Sequence, residues 1–112
     1  MQRDLKMYLI DIRTSIDSIY DYLGEERNFQ KFEDSKLIRR AIERELEIIG
    51  EATNRLLKID PEIDISDARR IVNLRNFVIH AYDNVDSIII WGIISKDLPS
   101  LRRQIELLLS RD

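Results

Sequence analysis

The stretch Arg75-Asn76-Phe77-Val78-Ile79-His80-Ala81-Tyr82 holds the residue types best suited to chemistry in this 112-residue chain. It carries the only histidine and places an arginine, an amide, that histidine and a tyrosine within about two helical turns. Arginine is a permanent cation whose planar fork clamps phosphate. Imidazole moves a proton near neutral pH. Together the arginine and the histidine make a set able to cut a phosphodiester without a metal. A chain with one histidine and no cysteine is a poor host for a zinc site of its own. No metal and no cofactor are expected.

Helix geometry divides this set. At about 100° per residue, Asn76 and His80 share one face and Arg75 and Tyr82 share another. Arg75 and His80 then lie about 140° apart. Two arrangements would unite them. Either the helix frays before His80, or a two-fold axis brings a second copy of the stretch close, so that one site is built from two chains. Taken singly, the same residues have plainer readings. A lone histidine beside Phe77, Val78 and Ile79 is more often structural than catalytic. A tyrosine at a helix end usually packs with its hydroxyl in water. Arg75 suits an ordinary ion pair, and Asn76 can bond back to its own helix.

The elements that must position these residues are helical. Glycine (3) and proline (2) are scarce and 35% of residues are charged, a balance that favours helices over strands. Leu5, Leu9, Ile12, Ile16, Ile19 and Leu23 recur at helical spacing and predict a helix over about 4–22, stopped by Gly24. Phe29 and Phe32 anchor a short turn or helix. Asp34 or Ser35 caps a helix over about 36–58, with Ile38, Ile42, Leu46, Ile49, Ala52 and Leu56 on one face. Leu37, Ala41 and Ile48 widen that face, which suggests burial on two sides. Gly50 in its middle suggests close approach of another backbone. Pro61 ends the segment. Ser66 is the expected N-cap of a helix reaching about Tyr82, with Ile71, Leu74, Val78 and Ala81 on its apolar face. Asp86 caps the next, with Ile89 or Ile90, Ile93 and Ile94 apolar. The stripe Ile94, Leu98, Leu101, Ile105, Leu108 continues in register across Pro99, where a kink or a new helix start is expected.

The fold class is therefore all-α: a single domain over 1–112, an up-down bundle of four to five helices. The long, regular first stripe leaves room for a helix-on-helix dimer, and two-fold dimers are the commonest oligomers. No apolar run is long enough to span a bilayer, and no signal-peptide pattern opens the sequence, so a soluble cytoplasmic protein with no membrane role is expected. The net charge of −3 argues mildly against a nucleic-acid partner. The charge is uneven, however: residues 35–59 carry six Lys/Arg against four Asp/Glu, whereas residues 1–34 carry five against eight.

The segment Arg75-Asn76-x-x-x-His80-x-Tyr82 resembles the signature of the HEPN superfamily in its HepT toxin branch. Two further blocks share the resemblance. Ala41-Ile42-Glu43-Arg44-Glu45-Leu46-Glu47-Ile48-Ile49-Gly50-Glu51-Ala52 is similar to the family's Ile-Gly-Glu-Ala block. Val85-Asp86, Trp91-x-Ile93-Ile94 and Asp97-Leu98-Pro99-x-Leu101 are similar to its C-terminal block. Blocks in family order over roughly residues 4–110 are far more specific than one short motif. Ala81 stands where many relatives carry glycine.

The resemblance implies an all-α, HEPN-like homodimer that cleaves RNA without a metal, as the toxin of a toxin–antitoxin pair. It implies an MNT-type nucleotidyltransferase antitoxin that transfers AMP from ATP to the motif tyrosine. Carried over by position, Arg75 and His80 are catalytic, Asn76 supports the site and Tyr82 is the residue modified by AMPylation. The alternative is a non-catalytic helical module that forms a complex with a nucleotidyltransferase, its motif serving as a nucleotide-binding or docking surface. The intact motif favours the nuclease, and the shortage of positive charge favours the module.

Overall fold

The computed structural model describes residues 1–73 and 85–111, with Val85 and Asp86 described by their helical backbone alone. The described residues form helices joined by short turns, with no strand among them. They are α1 (Arg3–Leu23), α2 (Phe29–Asp34), α3 (Lys36–Ile59), α4 (Ala68–Val72), α5 (Val85–Gly92) and α6 (Leu98–Ser110), with a π-helical segment, Ile93–Asp97, between the last two. The all-α expectation holds.

The bundle is built on the seam between α1 and α3, its most extensive helix pair. Leu9, Ile12, Ile16 and Ile19 of α1 and Ile42, Leu46, Ile49 and Leu56 of α3 are fully buried there, and Leu23 nearly so. Each fully buried aliphatic side chain contributes about 1.5–3 kcal/mol over leaving it in water. The first stripe is thus consumed by the chain's own core and is not spare for a helix-on-helix dimer. The widened face of α3 is also narrower than its pattern suggests: Leu37 is 81% exposed, while Ala41 and Ile48 are half-buried. Gly50 is buried.

The caps follow residue chemistry. Gly24 ends α1 at φ 75°, ψ −176°, a conformation that costs a Cβ-bearing residue dearly, while its N–H donates back to the Tyr20 and Asp21 carbonyls. Asn28 caps α2 by accepting from the Gln30 and Lys31 amides at 2.8 and 3.3 Å. Of the two residues expected to cap α3, Ser35 does so, accepting from the Ile38 amide at 3.1 Å. Short α2 is held by its aromatics. Phe29 meets Trp91 edge-on at 5.6 Å between ring centroids, and Phe32 meets the same indole at 5.5 Å.

The C-terminal run continues through Pro99 without a break. The chain stays helical from α5 through the π segment into α6, where Pro99 occupies the first turn. Of the two outcomes expected there, a new α-helical start is the one used, with Pro99 in its first turn, and the hydrogen-bond register widens just before it. The Leu98 amide donates to the Ile93 carbonyl, five residues back. In that wider register the Ile94 carbonyl would next receive the amide of Pro99, which has none. The Tyr20 hydroxyl supplies the missing donor at 3.0 Å from across the bundle. Burial raises the Tyr20 phenol above its ordinary value, partly offset by the Arg27 guanidinium lying 4.4 Å over the ring. The hydroxyl therefore keeps the proton that it donates.

Charged side chains then clamp α1 to α6. Arg102 grips both carboxylate oxygens of Asp17 at 2.7 and 3.2 Å, and Arg13 meets Glu106 at 3.1 Å. These partly exposed pairs fix orientation and add little to stability.

The Tyr20 contact yields a test. Tyr20→Phe leaves a carbonyl without its donor and should cost about 1–3 kcal/mol of unfolding free energy in urea. Pro99→Ala restores an amide, so the same Phe substitution should cost markedly less in that background. The folded-state phenol is raised above its unfolded value of 10.0, so wild-type stability falls as pH climbs past that value and the gap to Tyr20→Phe narrows. Equal cost in both backgrounds would disprove the link between hydroxyl and proline.

Candidate functional site

The four motif residues, Arg75, Asn76, His80 and Tyr82, lie outside the described residues, and so do Leu74, Val78 and Ala81. What the structure describes is the frame on either side of them. Helix α4 carries the chain up to Asn73, and α5 takes it on from Val85.

The entry into α4 differs from expectation by one residue. Asp67, not Ser66, stands at the N-cap, in the left-handed conformation (φ 57°, ψ 33°) with no side-chain capping bond. An aspartate tolerates that region better than most non-glycine residues. Ser66 is used differently: its amide donates to Gln104 Oε1 on α6 at 2.6 Å. The turn before α4 is seated by Ile63 and Ile65, both buried, and α4 itself by buried Ile71. Arg70 reaches across to Asp97 of the π segment, with Nη2 and Oδ2 3.2 Å apart. Thus α4 is tied at its start to α6 and along its length to the π segment.

Between α4 and the C-terminal run lies an open cleft of about 340 Å³, lined by Arg70, Asn73, Ile89, Gly92, Ile93, Lys96 and Asp97. Asn73 is one residue short of the segment that carries the motif, and Ile89 lies four beyond the start of α5. Among the described residues the lining holds two cations and one carboxylate, one positive charge in excess. Lys96 is exposed, and no carboxylate among the described residues pairs with it. On α5, Ile90 is buried at 3% while Ile88 and Ile89 are 68% and 47% exposed. This settles the choice between Ile89 and Ile90 for the core position.

Sequence reasoning passed over Arg70, Lys96 and Gly92. The signal for Gly92 was present: a glycine inside an apolar helical run, costing about 0.5–1 kcal/mol against alanine. Arg70 and Lys96 carried none, because a single exposed cation has no periodicity to betray it.

The all-α frame, with a short helix leading into an Arg-x4-His-x-Tyr segment and a long C-terminal helix closing the bundle, defines a HEPN-type domain. The chain belongs to the ribonuclease HepT-like family, whose model matches residues 12–108. Its relatives include a Thermococcus cleftensis protein named as a probable ribonuclease HepT, 37% identical over 110 residues and covering 95% of this chain and 96% of the relative. A Methanocaldococcus jannaschii protein named as a candidate RNase is 33% identical over 108 residues, covering 95% of this chain and 97% of the relative. A further candidate RNase, from Caldanaerobacter subterraneus, is 35% identical over 86 residues, or 76% of this chain and 77% of that protein. No solved structure matches the chain.

Proposed function

We propose that this protein is a metal-independent endoribonuclease, the toxin of a toxin–antitoxin pair. The observation that carries the reading is an intact Arg75-x4-His80-x-Tyr82 set inside a span that matches the ribonuclease HepT-like family. The names of the relatives point the same way.

The mechanism follows from residue types. His80 takes the proton from an RNA 2'-hydroxyl as that oxygen attacks the neighbouring phosphorus. The new P–O2' bond forms as the P–O5' bond breaks. A proton returned through the imidazole leaves the departing strand with a 5'-hydroxyl, and the other strand ends in a 2',3'-cyclic phosphate. Arg75 stabilises the charge that builds on the phosphoryl oxygens. Asn76 orients the imidazole or donates to the same phosphate.

His80→Ala should lower cleavage by about 10²-fold or more, the lower end of what a positioned acid–base group supplies, with the helical circular dichroism unchanged. Arg75→Lys should recover little, because an ammonium lacks the bidentate fork. Cleavage should persist in a chelator and leave cyclic phosphate ends. Undiminished cutting by His80→Ala would refute the acid–base role, and no cutting by the wild type would favour the non-catalytic module.

The working unit in this reading is a two-fold dimer. On an ideal helix Arg75 and His80 do not face the same way, and a second copy supplies the missing partner across the axis. The exposed Ile88, shortly after the motif in sequence, offers apolar surface for that contact. Light scattering at micromolar concentration should return the mass of two chains; a monomer of full activity would rule the composite site out.

Tyr82 is the switch. An MNT-type nucleotidyltransferase would join AMP to its hydroxyl, displacing pyrophosphate from ATP. The adduct adds negative charge and a nucleotide's bulk beside Arg75, on whose ideal helix face Tyr82 lies. The new phosphate would pair with Arg75 and take the place of the substrate's. Tyr82→Phe should therefore cut RNA yet escape silencing by antitoxin and ATP. Mass spectrometry should place the label on Tyr82; a label on Tyr8, Tyr20 or Tyr22 would overturn the assignment.

A further inference from the structure

We propose that the cleft between α4 and the π segment holds a backbone phosphate of the RNA beside the cleaved bond, with Arg70 and Lys96 as its cationic walls and Gly92 as its floor. This rests on the ribonuclease reading. It adds a substrate-positioning subsite outside the motif.

Three observations converge on it. The first is Gly92. Its backbone is ordinary right-handed helix (φ −61°, ψ −40°), so no turn demands a glycine. A Cβ built there meets no atom within 4 Å among the described residues, so no described helix demands a glycine either. A helix that keeps its least favourable ordinary residue with open space above it departs from local preference without a packing reason. Such departures concentrate where something else must approach the backbone. The second is charge. This chain carries a net −3, and many of its arginines are matched to nearby carboxylates, yet the described lining of the cleft has a positive excess, and Lys96 at its rim meets no carboxylate among the described residues. Arg70 is fixed by Asp97 through one amino group, which leaves further N–H donors of the guanidinium for an anion. The third is place. The lining includes Asn73 at the end of α4 and Ile89 in α5, the two elements that flank the motif segment. The cleft is therefore bordered by both chain ends of the segment that carries the motif. Ile89 and Ile93 give the apolar wall that a ribose would lie against.

The test uses the full chain and a 2'-O-methyl oligoribonucleotide, whose capped nucleophile prevents cleavage. Lys96→Ala and Arg70→Ala should each raise Kd by about 3–10-fold and reduce the slope of log affinity against log salt by about 0.7, one phosphate contact to a single strand. Lys36→Ala removes an exposed cation elsewhere on α3 and should change neither. Gly92→Glu should raise Kd more than tenfold without lowering Tm, because the new side chain enters open space. Cleavable RNA is assayed in parallel. Should Lys96→Ala and Arg70→Ala keep wild-type affinity and slope while the wild type cleaves RNA, the subsite is wrong and the nuclease reading stands. Should the wild type neither bind nor cleave, both fall. Should Gly92→Glu instead change the mass seen by light scattering, the cleft is a contact between chains and the phosphate assignment is overturned.

Discussion

A proline removes one amide from a helix that has to stay continuous, and much of this structure is arranged around that missing hydrogen. The C-terminal run must continue past Pro99 because Ile94, Leu98, Leu101, Ile105 and Leu108 form one buried stripe on the bundle. A plain α-helical register would leave a carbonyl inside the turn without a donor and press the pyrrolidine ring on the turn before it. The π segment admits one extra residue and moves the deficit to Ile94, where Tyr20 meets it. Two further arrangements depend on that adjustment. The π segment carries Asp97, which holds Arg70 on the helix that leads to the motif. It also carries Lys96 beside the same cleft. Local irregularity in α-helices often accompanies function, and here it places a carboxylate and an ammonium where a regular helix would have turned them elsewhere.

The electrostatics suit a polyanion only locally. Surface arginines are matched in place: Arg40 with Glu43, Arg44 with Glu47, Arg55 with Glu51, Arg102 with Asp17, Arg111 with Asp64. Pairs this exposed contribute little to stability and screen one another at short range. The result is a surface with no broad basic face among these pairs. A nuclease of this kind would rely on a few aimed donors and have little long-range attraction, and its RNA binding would then respond weakly to salt for a protein that acts on RNA.

How much of this was legible in the sequence depends on what carried the signal. Helix interiors were legible because burial imposes a period, and Leu9, Ile12, Ile16 and Ile19 could not have been elsewhere. Caps were legible less evenly: Asp86, expected to cap α5, lies inside that helix, which already includes Val85. Ser35 was foreseen as one of two candidates, whereas Ser66 was displaced by Asp67 because the turn entering α4 was fixed from a distance by Gln104. Leu37 misled because an apolar residue one position off the stripe looks the same whether a neighbour covers it or water does. A helix start at Pro99 was one of two foreseen outcomes, but the π segment and its Tyr20 bond were out of reach, since that donor comes from a tyrosine 79 positions earlier in the chain. The chemistry of the motif was legible as residue types and spacing alone, and its residues lie outside those the structure describes.

Trp91 is the only tryptophan of the chain, and its indole is wedged against Phe29 and Phe32. Its emission colour follows the water around the ring, and the half-buried indole loses part of that water while α2 rests on α5. Helix α5 is the first described element after the motif segment. The protein thus contains its own fluorophore for the docking of the element that leaves its candidate site. A red shift on substrate or partner binding would mark α2 lifting away, and an unchanged spectrum would mark a frame that stays rigid while the site is filled.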